Sequence, residues 1–243
     1  MEKVRALLLT VWGALLWGHR LFGPADGPDF ERIPTWARMT SSSVLVLYAV
    51  LVLPSMRDAD LRKLARAMAI GMAFGLVGDL LLAGVLGLQG PAALGAGMVV
   101  FGIGHGFYLK GMRAVGPWPW KPIVGAMVVV LAGWLVNVMG GTSPSPLLTV
   151  GALVYGLLLG AVLGMATGIA LRERPFWTMA IGAAVFLVSD LVLSLHFFRP
   201  DVYAQIPVHI RGDLVWLLYA AGQVSLLSAA PYVQKRRVAL GRV

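Results

Sequence analysis

The sequence predicts an all-α integral membrane protein, and its composition is the first reason. Of the 243 residues, 58% are hydrophobic and 13% are charged, whereas a soluble domain carries about 25% charged residues. Thirty glycines and eight tryptophans also suit a membrane protein, because glycine is frequent in membrane helices and tryptophan gathers at the membrane–water interfaces. The chain contains no cysteine, which excludes disulfides, thiolate catalysis and cysteine-ligated metals.

The second reason is the length of the apolar segments. A membrane-spanning helix needs about 20 mainly apolar residues, and eight segments come close to or exceed this length. No linker or shift in composition divides them, so the sequence predicts a single polytopic transmembrane domain over residues 1–243. The predicted spans cover approximately residues 4–22, 37–54, 64–88, 91–112, 119–139, 145–171, 176–198 and 211–232.

Proline or glycine marks most boundaries between these spans. The first span resembles a signal peptide, but no small-x-small cleavage site follows it, so we predict an uncleaved span. The other boundaries are marked, in chain order, by Pro54, Gly90-Pro91, Gly116-Pro117, Pro144, Pro175, Pro200 and Pro207.

The distribution of charge predicts the orientation of the chain. The net charge of +9 could indicate nucleic-acid binding, but the basic residues lie in short loops between apolar spans. If the N-terminus is cytoplasmic, most of the 20 lysines and arginines fall on the cytoplasmic side, in agreement with the positive-inside rule. We therefore predict cytoplasmic N- and C-termini and no nucleic-acid partner.

Two aspartates inside apolar spans are the strongest candidates for a functional site. The segment Leu-Val-Gly-Asp-Leu-Leu-Leu around Asp79 recurs as Leu-Val-Ser-Asp-Leu-Val-Leu around Asp190, 111 residues later. Tyr108 and Tyr219 are separated by the same interval. An offset of four spans preserves the direction of the chain, which predicts two parallel four-helix repeats. Chance similarity between two apolar segments is the alternative.

These aspartates indicate function because a carboxylate near the middle of a membrane helix costs about 2.5–3.5 kcal/mol on insertion. Asp79 and Asp190 lie about 18 and 21 Å from the cytoplasmic ends of their predicted spans, at 1.5 Å per residue. Helices that pack about 8–10 Å apart bring inward-pointing side chains together. We therefore predict a carboxylate pair. The alternative is two separate aspartates, each satisfied by a local hydroxyl or by water.

Further polar side chains lie on the spans that follow each aspartate. His105 and Tyr108 share one face of span four, and Tyr219 and Gln223 lie one turn apart on span eight. Ser189 adjoins the second aspartate. Buried hydroxyl and amide groups need partners, and a carboxylate is a good one. We predict that these residues support the acids or bind substrate.

Other polar residues are assigned no part in the site. Asp213, near Arg211 at the outer end of span eight, is predicted to be a solvated interfacial charge. His196 and Asn137 lie near the ends of spans and need no special role. Because the four histidines show no clustered spacing, we predict neither a metal site nor another cofactor.

Short motifs around the candidate residues occur in a fixed order along the chain. They are Gly78-Asp79-Leu80-Leu81-Leu82, Phe101-x-x-x-His105-x-x-Tyr108, Gly182-Ala183-x-x-Phe186-x-x-Ser189-Asp190 and Tyr219-x-x-x-Gln223. In this order, and with eight spans, the sequence resembles the YhhN-like lysoplasmalogenase family. It departs from that family at the start of the second span, where a Lys-Pro pair is usual and this chain has Arg38-Met39-Thr40-Ser41.

The resemblance implies a hydrolase that cleaves the vinyl ether bond of a lysoplasmalogen, giving a fatty aldehyde and a glycerophospho-alcohol. It implies a lysophospholipid-type lipid as partner, with Asp79 and Asp190 as the catalytic residues. Because two close carboxylates resist joint ionisation, we expect the pair to share one proton near neutral pH. The phosphate of the lipid is expected near Lys110 and Arg113. We expect the protein in the cytoplasmic (inner) membrane of a bacterium.

Three other functions would use similar features. An intramembrane aspartyl protease also has two membrane aspartates, but Leu76 and Ser189 break its Gly-x-Gly-Asp and Tyr-Asp signatures. A proton-coupled transporter or lipid scramblase would use the same acids to bind and release protons. A lipid-binding or assembly protein would keep the fold without the activity. Release of aldehyde in detergent, without any gradient, would distinguish the hydrolase from the carrier.

Overall fold

The computed structural model describes residues 2–24, 31–142 and 145–241, and within these ranges the chain forms helices and no β-strand. The predicted all-α fold class is therefore confirmed. Eight helical runs follow one another, with a short helix, Pro200–Tyr203, between the last two. They are α1 (Glu2–Gly13, continued by a π-helical Ala14–Gly18 and by His19–Phe22), α2 (Thr35–Val52), α3 (Ala59–Leu82), α4 (Gly90–Val115), α5 (Trp120–Trp134, continued by a π-helical Leu135–Met139), α6 (Pro146–Arg172), α7 (Trp177–Phe198) and α8 (Val208–Ala239).

Seven of these helices, α2 to α8, are long and apolar enough to cross a membrane. The eighth predicted span corresponds to α1, a continuous helical run that lies outside that set. Charged residues at both of its ends, Lys3, Arg5 and Arg20, lower its apolar character. The seven apolar helices indicate an integral membrane protein, and the orientation of its termini stays a prediction.

The third predicted span, residues 64–88, is wrong at both ends, because α3 covers Ala59–Leu82. Gly84 terminates the helix with a φ of 72°, a conformation that glycine adopts readily. Its N–H and that of Val85 each bond at 3.1 Å to carbonyl groups in the last turn, which completes a Schellman motif. As a result Asp79 lies about 4.5 Å from the end of its helix, rather than near the middle.

Because successive helices alternate in direction, the bundle has two ends. We call the end at which α2 begins and α3 and α7 finish the Thr35 end. The opposite end, at which α8 finishes, is the Arg237 end. Hydrogen bonds between connections tie each end together: Thr142 N–H donates to the Phe198 carbonyl at 2.9 Å, and the Gln234 amide donates to the Ser55 carbonyl at 2.7 Å.

The two aspartate-bearing helices pack in the same way on the helices that follow them. α3 lies along α4, and α7 lies along α8. Glycines allow both close approaches, since a Cβ on Gly71 would lie 2.7 Å from the Gly104 oxygen. A Cβ on Gly182 would likewise lie 2.9 Å from the Gly222 oxygen. This equivalent packing agrees with the predicted offset of four helices.

The largest hydrophobic cluster fills the half of the bundle nearest the Arg237 end. Its members come from the adjoining halves of α2, α3, α4, α6, α7 and α8. Fully buried residues at its centre include Met72, Met112, Met165, Phe176 and Met179. Dense packing at this end leaves open space only toward the Thr35 end of the same helices.

An ion-pair cluster joins three parts of the chain at the Arg237 end. Arg237 donates to Asp58 and, at 3.0 and 2.7 Å, to the two carboxylate oxygens of Glu173. Asp58 also caps α3 by accepting from the backbone N–H groups of Asp60 and Leu61 at 2.9 and 3.1 Å. Burial acts to raise the pKa of Asp58. The hydrogen bonds from Leu61 and Arg237 outweigh burial and hold the pKa below its usual value of 3.8.

Asp58→Ala is expected to lower the free energy of unfolding by about 0.5–2 kcal/mol, because it removes the cap of α3. Asp58→Asn keeps the cap and removes only the charge. Since the pKa of Asp58 is lower in the folded protein, the charge contributes fully above the unfolded pKa and is lost as the pH falls through the folded value. Thermal unfolding in detergent, from neutral pH to below pH 3.8, measures both effects. A stability gap between wild type and Asp58→Asn that widens toward acid pH would contradict this assignment.

Candidate active site

A cavity of about 380 Å³ lies at the Thr35 end of the bundle and is bounded by six helices, α2, α3, α4, α6, α7 and α8. Its volume lies in the range of small-molecule sites, about 300–1,000 Å³. Both candidate acids line it. The polar residues of its wall are Glu31, Thr35, Arg38, Asp79, Tyr155, Ser189, Asp190, His196, Tyr203, Trp216 and Tyr219.

Asp79 is held in the wall of this cavity by two hydroxyl groups. Its side chain is 4% exposed. The same carboxylate oxygen, Oδ2, accepts a hydrogen bond from Ser42 of α2 at 2.6 Å and one from Tyr219 of α8 at 2.9 Å. Three helices thus fix one carboxyl group, and hydrogen bonds to a single carboxylate oxygen favour its ionised form.

Asp190 faces the same cavity from α7 and is half-buried. Its Oδ2 accepts a hydrogen bond of 2.6 Å from the Tyr155 hydroxyl of α6. The Asp190 carboxylate is close enough to Asp79 for a charge on one to repel a charge on the other. Each acid is therefore bonded to a tyrosine from another helix, and both share one hollow.

Tyr108 and Gln223 lie behind the cavity wall and do not line it. The Tyr108 hydroxyl donates to the Gln223 side-chain oxygen at 2.7 Å, and both residues are 1% exposed. Gly71 makes room for this pair, since a Cβ there would lie 2.2 Å from the Tyr108 ring. A Cβ on Gly75 would lie 3.2 Å from the Tyr219 hydroxyl. The bond between α4 and α8 therefore sets the position of Tyr219, which lies one turn before Gln223.

His105 is also behind the wall, and its ring is part of an aromatic layer. Its Nδ1 bonds to the Phe101 carbonyl at 2.7 Å, which fixes the ring. The ring meets Tyr155 edge-on, with centroids 5.8 Å apart, and Phe186 at 4.9 Å. His105 is therefore placed to position Tyr155 rather than to touch a ligand in the cavity.

Ser189 lies at the cavity wall but its hydroxyl is already used. It donates to the Val215 carbonyl of α8 at 2.8 Å and is fully buried. This bond fixes α7 against α8 beside Asp190. The structure thus brings Asp79, Asp190, Ser189 and Tyr219 to the cavity and keeps the other three predicted residues, His105, Tyr108 and Gln223, one layer away.

The comparison with protein families is now informative, because the YhhN family matches residues 35–230. The chain belongs to the YhhN family. The match includes α2 to α7, most of α8 and every predicted site residue, and it confirms the resemblance identified from the motifs. No curated protein and no solved structure matches the chain.

Sequence reasoning missed three residues of this YhhN-family site. Ser42 and Tyr155 supply hydrogen bonds to the two acids. Trp216 lines the cavity, and its indole N–H is buried with no hydrogen-bond partner in the described part of the chain. The available sign was the position of Tyr155 inside a long apolar span. Nothing in the local sequence distinguished Ser42 from its neighbours Ser41 and Ser43.

The prediction that Asp213 is a solvated charge is wrong, because its side chain is 1% exposed. It accepts from the backbone N–H groups of Arg32 and Ile33 and forms ion pairs with Arg38 at 3.4 Å and Arg20 at 3.7 Å. These partners lie near the other end of the chain in sequence, so the charge on Asp213 is compensated by tertiary contacts. The acid therefore organises the basic residues beside the cavity mouth.

Two further expectations about the cavity change. His196, which was given no role, lines it. Lys110 and Arg113, expected to receive the phosphate, lie in the second half of α4 at the Arg237 end. The cavity is at the Thr35 end, so its nearest basic wall residue is Arg38. Within the described ranges, no group of three or more histidine or acidic residues is arranged to hold a metal ion.

A second cavity adjoins the first on the side of α5 and α6. Its volume is about 90 Å³, and its wall is almost wholly apolar. Tyr155 and Asp190 belong to the walls of both cavities, as do Leu94, Met98, Leu193 and Phe197. The Asp190 carboxyl group therefore lies where a polar hollow meets an apolar one.

Proposed function

We propose that this YhhN-family protein hydrolyses the vinyl ether bond of a lysoplasmalogen to a fatty aldehyde and a glycerophospho-alcohol. One observation carries the proposal: Asp79 and Asp190 face one cavity, and each accepts a hydrogen bond from a tyrosine hydroxyl. Hydrolysis of a vinyl ether needs an acid that protonates carbon and a negative group that stabilises the resulting cation. Two adjacent carboxyl groups that share one proton supply both.

In the proposed reaction the protonated carboxyl group transfers its proton to the distal alkene carbon, and the ether carbon becomes an oxocarbenium ion. The ionised carboxylate stabilises this cation and accepts a proton from the water molecule that attacks it. The product is a hemiacetal. It collapses to the aldehyde while its hydroxyl proton passes to the departing glycerol oxygen, so water is the only other reactant.

The hydrogen bonds suggest which acid has which part. Two hydroxyl groups donate to Oδ2 of Asp79, and this arrangement supports a carboxylate that stabilises the cation and orients water. Asp190 accepts one bond from a side chain and borders the apolar cavity, which supports the neutral, proton-donating form. We therefore assign Asp190 as the acid and Asp79 as the stabilising carboxylate.

The second cavity supports a lipid as substrate. Its apolar wall between α5, α6 and α7 suits the hydrocarbon chain that continues from the vinyl ether. A chain lying there would place the ether bond beside Asp190, at the junction of the two cavities. The headgroup would then extend through the larger cavity toward Arg38.

The proton-coupled transporter or lipid scramblase is the alternative, and the packing of the bundle supports it less well. A carrier needs a route that reaches both faces of the membrane. Buried residues such as Met72, Met112 and Met165 fill the half of the bundle nearest the Arg237 end, so the cavity reaches only the other end.

Purified protein in detergent is expected to release aldehyde from a 1-alkenyl lysophospholipid without any gradient. A coupled aldehyde dehydrogenase measures the product. The matched 1-alkyl analogue, which has no vinyl group to protonate, should release none. Folded protein that yields no aldehyde, but moves protons or lipid in proteoliposomes, would overturn the proposal in favour of the carrier.

A further inference from the structure

The mouth of the larger cavity carries a charged pair that the proposed chemistry does not use. Arg38, in the first turn of α2, and Glu31, just before that helix, both line the cavity. Their side chains meet in a two-pronged ion pair at 3.3 and 3.2 Å. The Arg38 side chain is 15% exposed and that of Glu31 is 48% exposed.

We infer that this pair binds the zwitterionic headgroup of a lysophospholipid, with Arg38 on the phosphate and Glu31 on the amine. The inference rests on the proposed function for the position of the lipid chain and extends it to the headgroup. Three observations support it: the anchoring of Arg38, the weakness of its contact with Glu31, and the distance from Arg38 to the acids.

Arg38 is anchored from behind by a buried acid. Asp213 pairs with Arg38 Nη2 at 3.4 Å and also holds Arg20. The Nε group of Arg38 is buried and has no hydrogen-bond partner in the described part of the chain. A guanidinium has five donors and matches phosphate oxygens two at a time. Asp213 therefore fixes the guanidinium while leaving donors for an anion, and the uncapped N-terminus of α2 adds to the attraction.

Glu31 is bound weakly enough to be displaced from Arg38. Charge-assisted bonds are usually about 2.7–2.9 Å long, and both contacts of Glu31 are longer. A half-exposed ion pair of this kind contributes about 0–1 kcal/mol. An incoming phosphate would replace Glu31 on Arg38 and leave the glutamate free to pair with the ammonium group of the same headgroup.

The distance from Arg38 to the reacting bond also suits a glycerol lipid. Ser42, which bonds to Asp79, lies one helical turn after Arg38 on α2. One turn advances about 5.4 Å along the axis. That is comparable to the three-carbon glycerol unit that separates the vinyl ether oxygen from the phosphate, so one lipid can reach both groups.

The test measures binding of a lipid that cannot be hydrolysed, 1-O-alkyl-glycero-3-phosphoethanolamine, to the full chain in detergent. Arg38→Gln is expected to raise its Kd by about 10- to 100-fold, as loss of hydrogen bonds to a charged group predicts. Binding of 1-O-alkylglycerol, which lacks the phosphate, should be unchanged. Arg113→Gln is the matched control, because Arg113 is an exposed arginine at the opposite end of the bundle.

A second variant keeps the test independent of folding, since Arg38→Gln also removes a partner of buried Asp213. Glu31→Gln alters an exposed side chain and should raise the Kd of the phosphoethanolamine lipid by about 2- to 5-fold. It should not weaken 1-O-alkyl-glycero-3-phosphate, which has no amine. Equal effects on both lipids would overturn the assignment of Glu31.

Two further outcomes separate this inference from others. Full displacement of the lipid by inorganic phosphate, dependent on Arg38, would assign the site to free phosphate and overturn the lipid headgroup. An unchanged lipid Kd in folded Arg38→Gln would overturn the site itself. If lipid binding depends on Arg38 but no aldehyde is formed from the alkenyl substrate, the hydrolysis fails and the headgroup site stands.

Discussion

Asp190→Asn is expected to lower the turnover of lysoplasmalogen by about 10²- to 10⁴-fold, the usual range for loss of a general acid or base. An amide cannot supply the proton that the alkene carbon requires, although it can still accept the hydrogen bond from Tyr155. Asp79→Asn should cause a loss of similar size, because it removes the negative charge that stabilises the cation. The rate of aldehyde release at saturating substrate measures both.

Asp201→Asn is the matched control for these variants. Asp201 is an exposed aspartate at the same end of the bundle, paired with Arg199 at 3.1 Å and remote from the acids. It should leave turnover unchanged. His105→Ala should reduce turnover less than either acid variant, because His105 acts through Tyr155 and does not line the cavity. Full activity of folded Asp79→Asn and Asp190→Asn would overturn the mechanism.

Gly71→Ala is expected to lower the free energy of unfolding by about 1–3 kcal/mol, as overpacking does in a filled core. The added methyl group would lie 2.2 Å from the Tyr108 ring and 2.7 Å from the Gly104 oxygen. Either α3 moves away from α4 or Tyr108 moves away from Gln223. Thermal unfolding in detergent measures the loss, and reduced turnover should accompany it because Tyr219 is displaced.

Gly106→Ala is the control for this substitution. Gly106 is also a glycine inside α4, but a Cβ there would meet nothing within 4 Å. Alanine should therefore leave stability unchanged or raise it by up to about 1 kcal/mol, since alanine is the better helix former. Equal melting temperatures for the Gly71 and Gly106 variants would show that the close packing of α3 on α4 is wrong.

Much of the site was predictable because intramembrane polar residues are rare. Asp79, Asp190 and Tyr219 stood out against apolar spans, and all three line the cavity. Ser42 did not stand out, because a hydroxyl group near the start of a span has many bland explanations. Asp213 was misjudged for the same reason in reverse: its position near a helix end suggested solvent, but Arg20 and Arg38 cover it.

The sequence by itself determined the all-α membrane class, the number and order of the helical runs, the two acids and the family. These follow from hydrophobicity, motif order and the length of apolar segments, which are properties of continuous stretches of chain. Tertiary structure alone decided the partners. The bonds of Asp79 to Ser42 and Tyr219 join residues 37 and 140 positions apart, and they depend on how each helix is rotated and how closely glycines let it approach. Local patterns of residues do not specify that rotation, so the cavity and its charged mouth appear only when the helices are packed together.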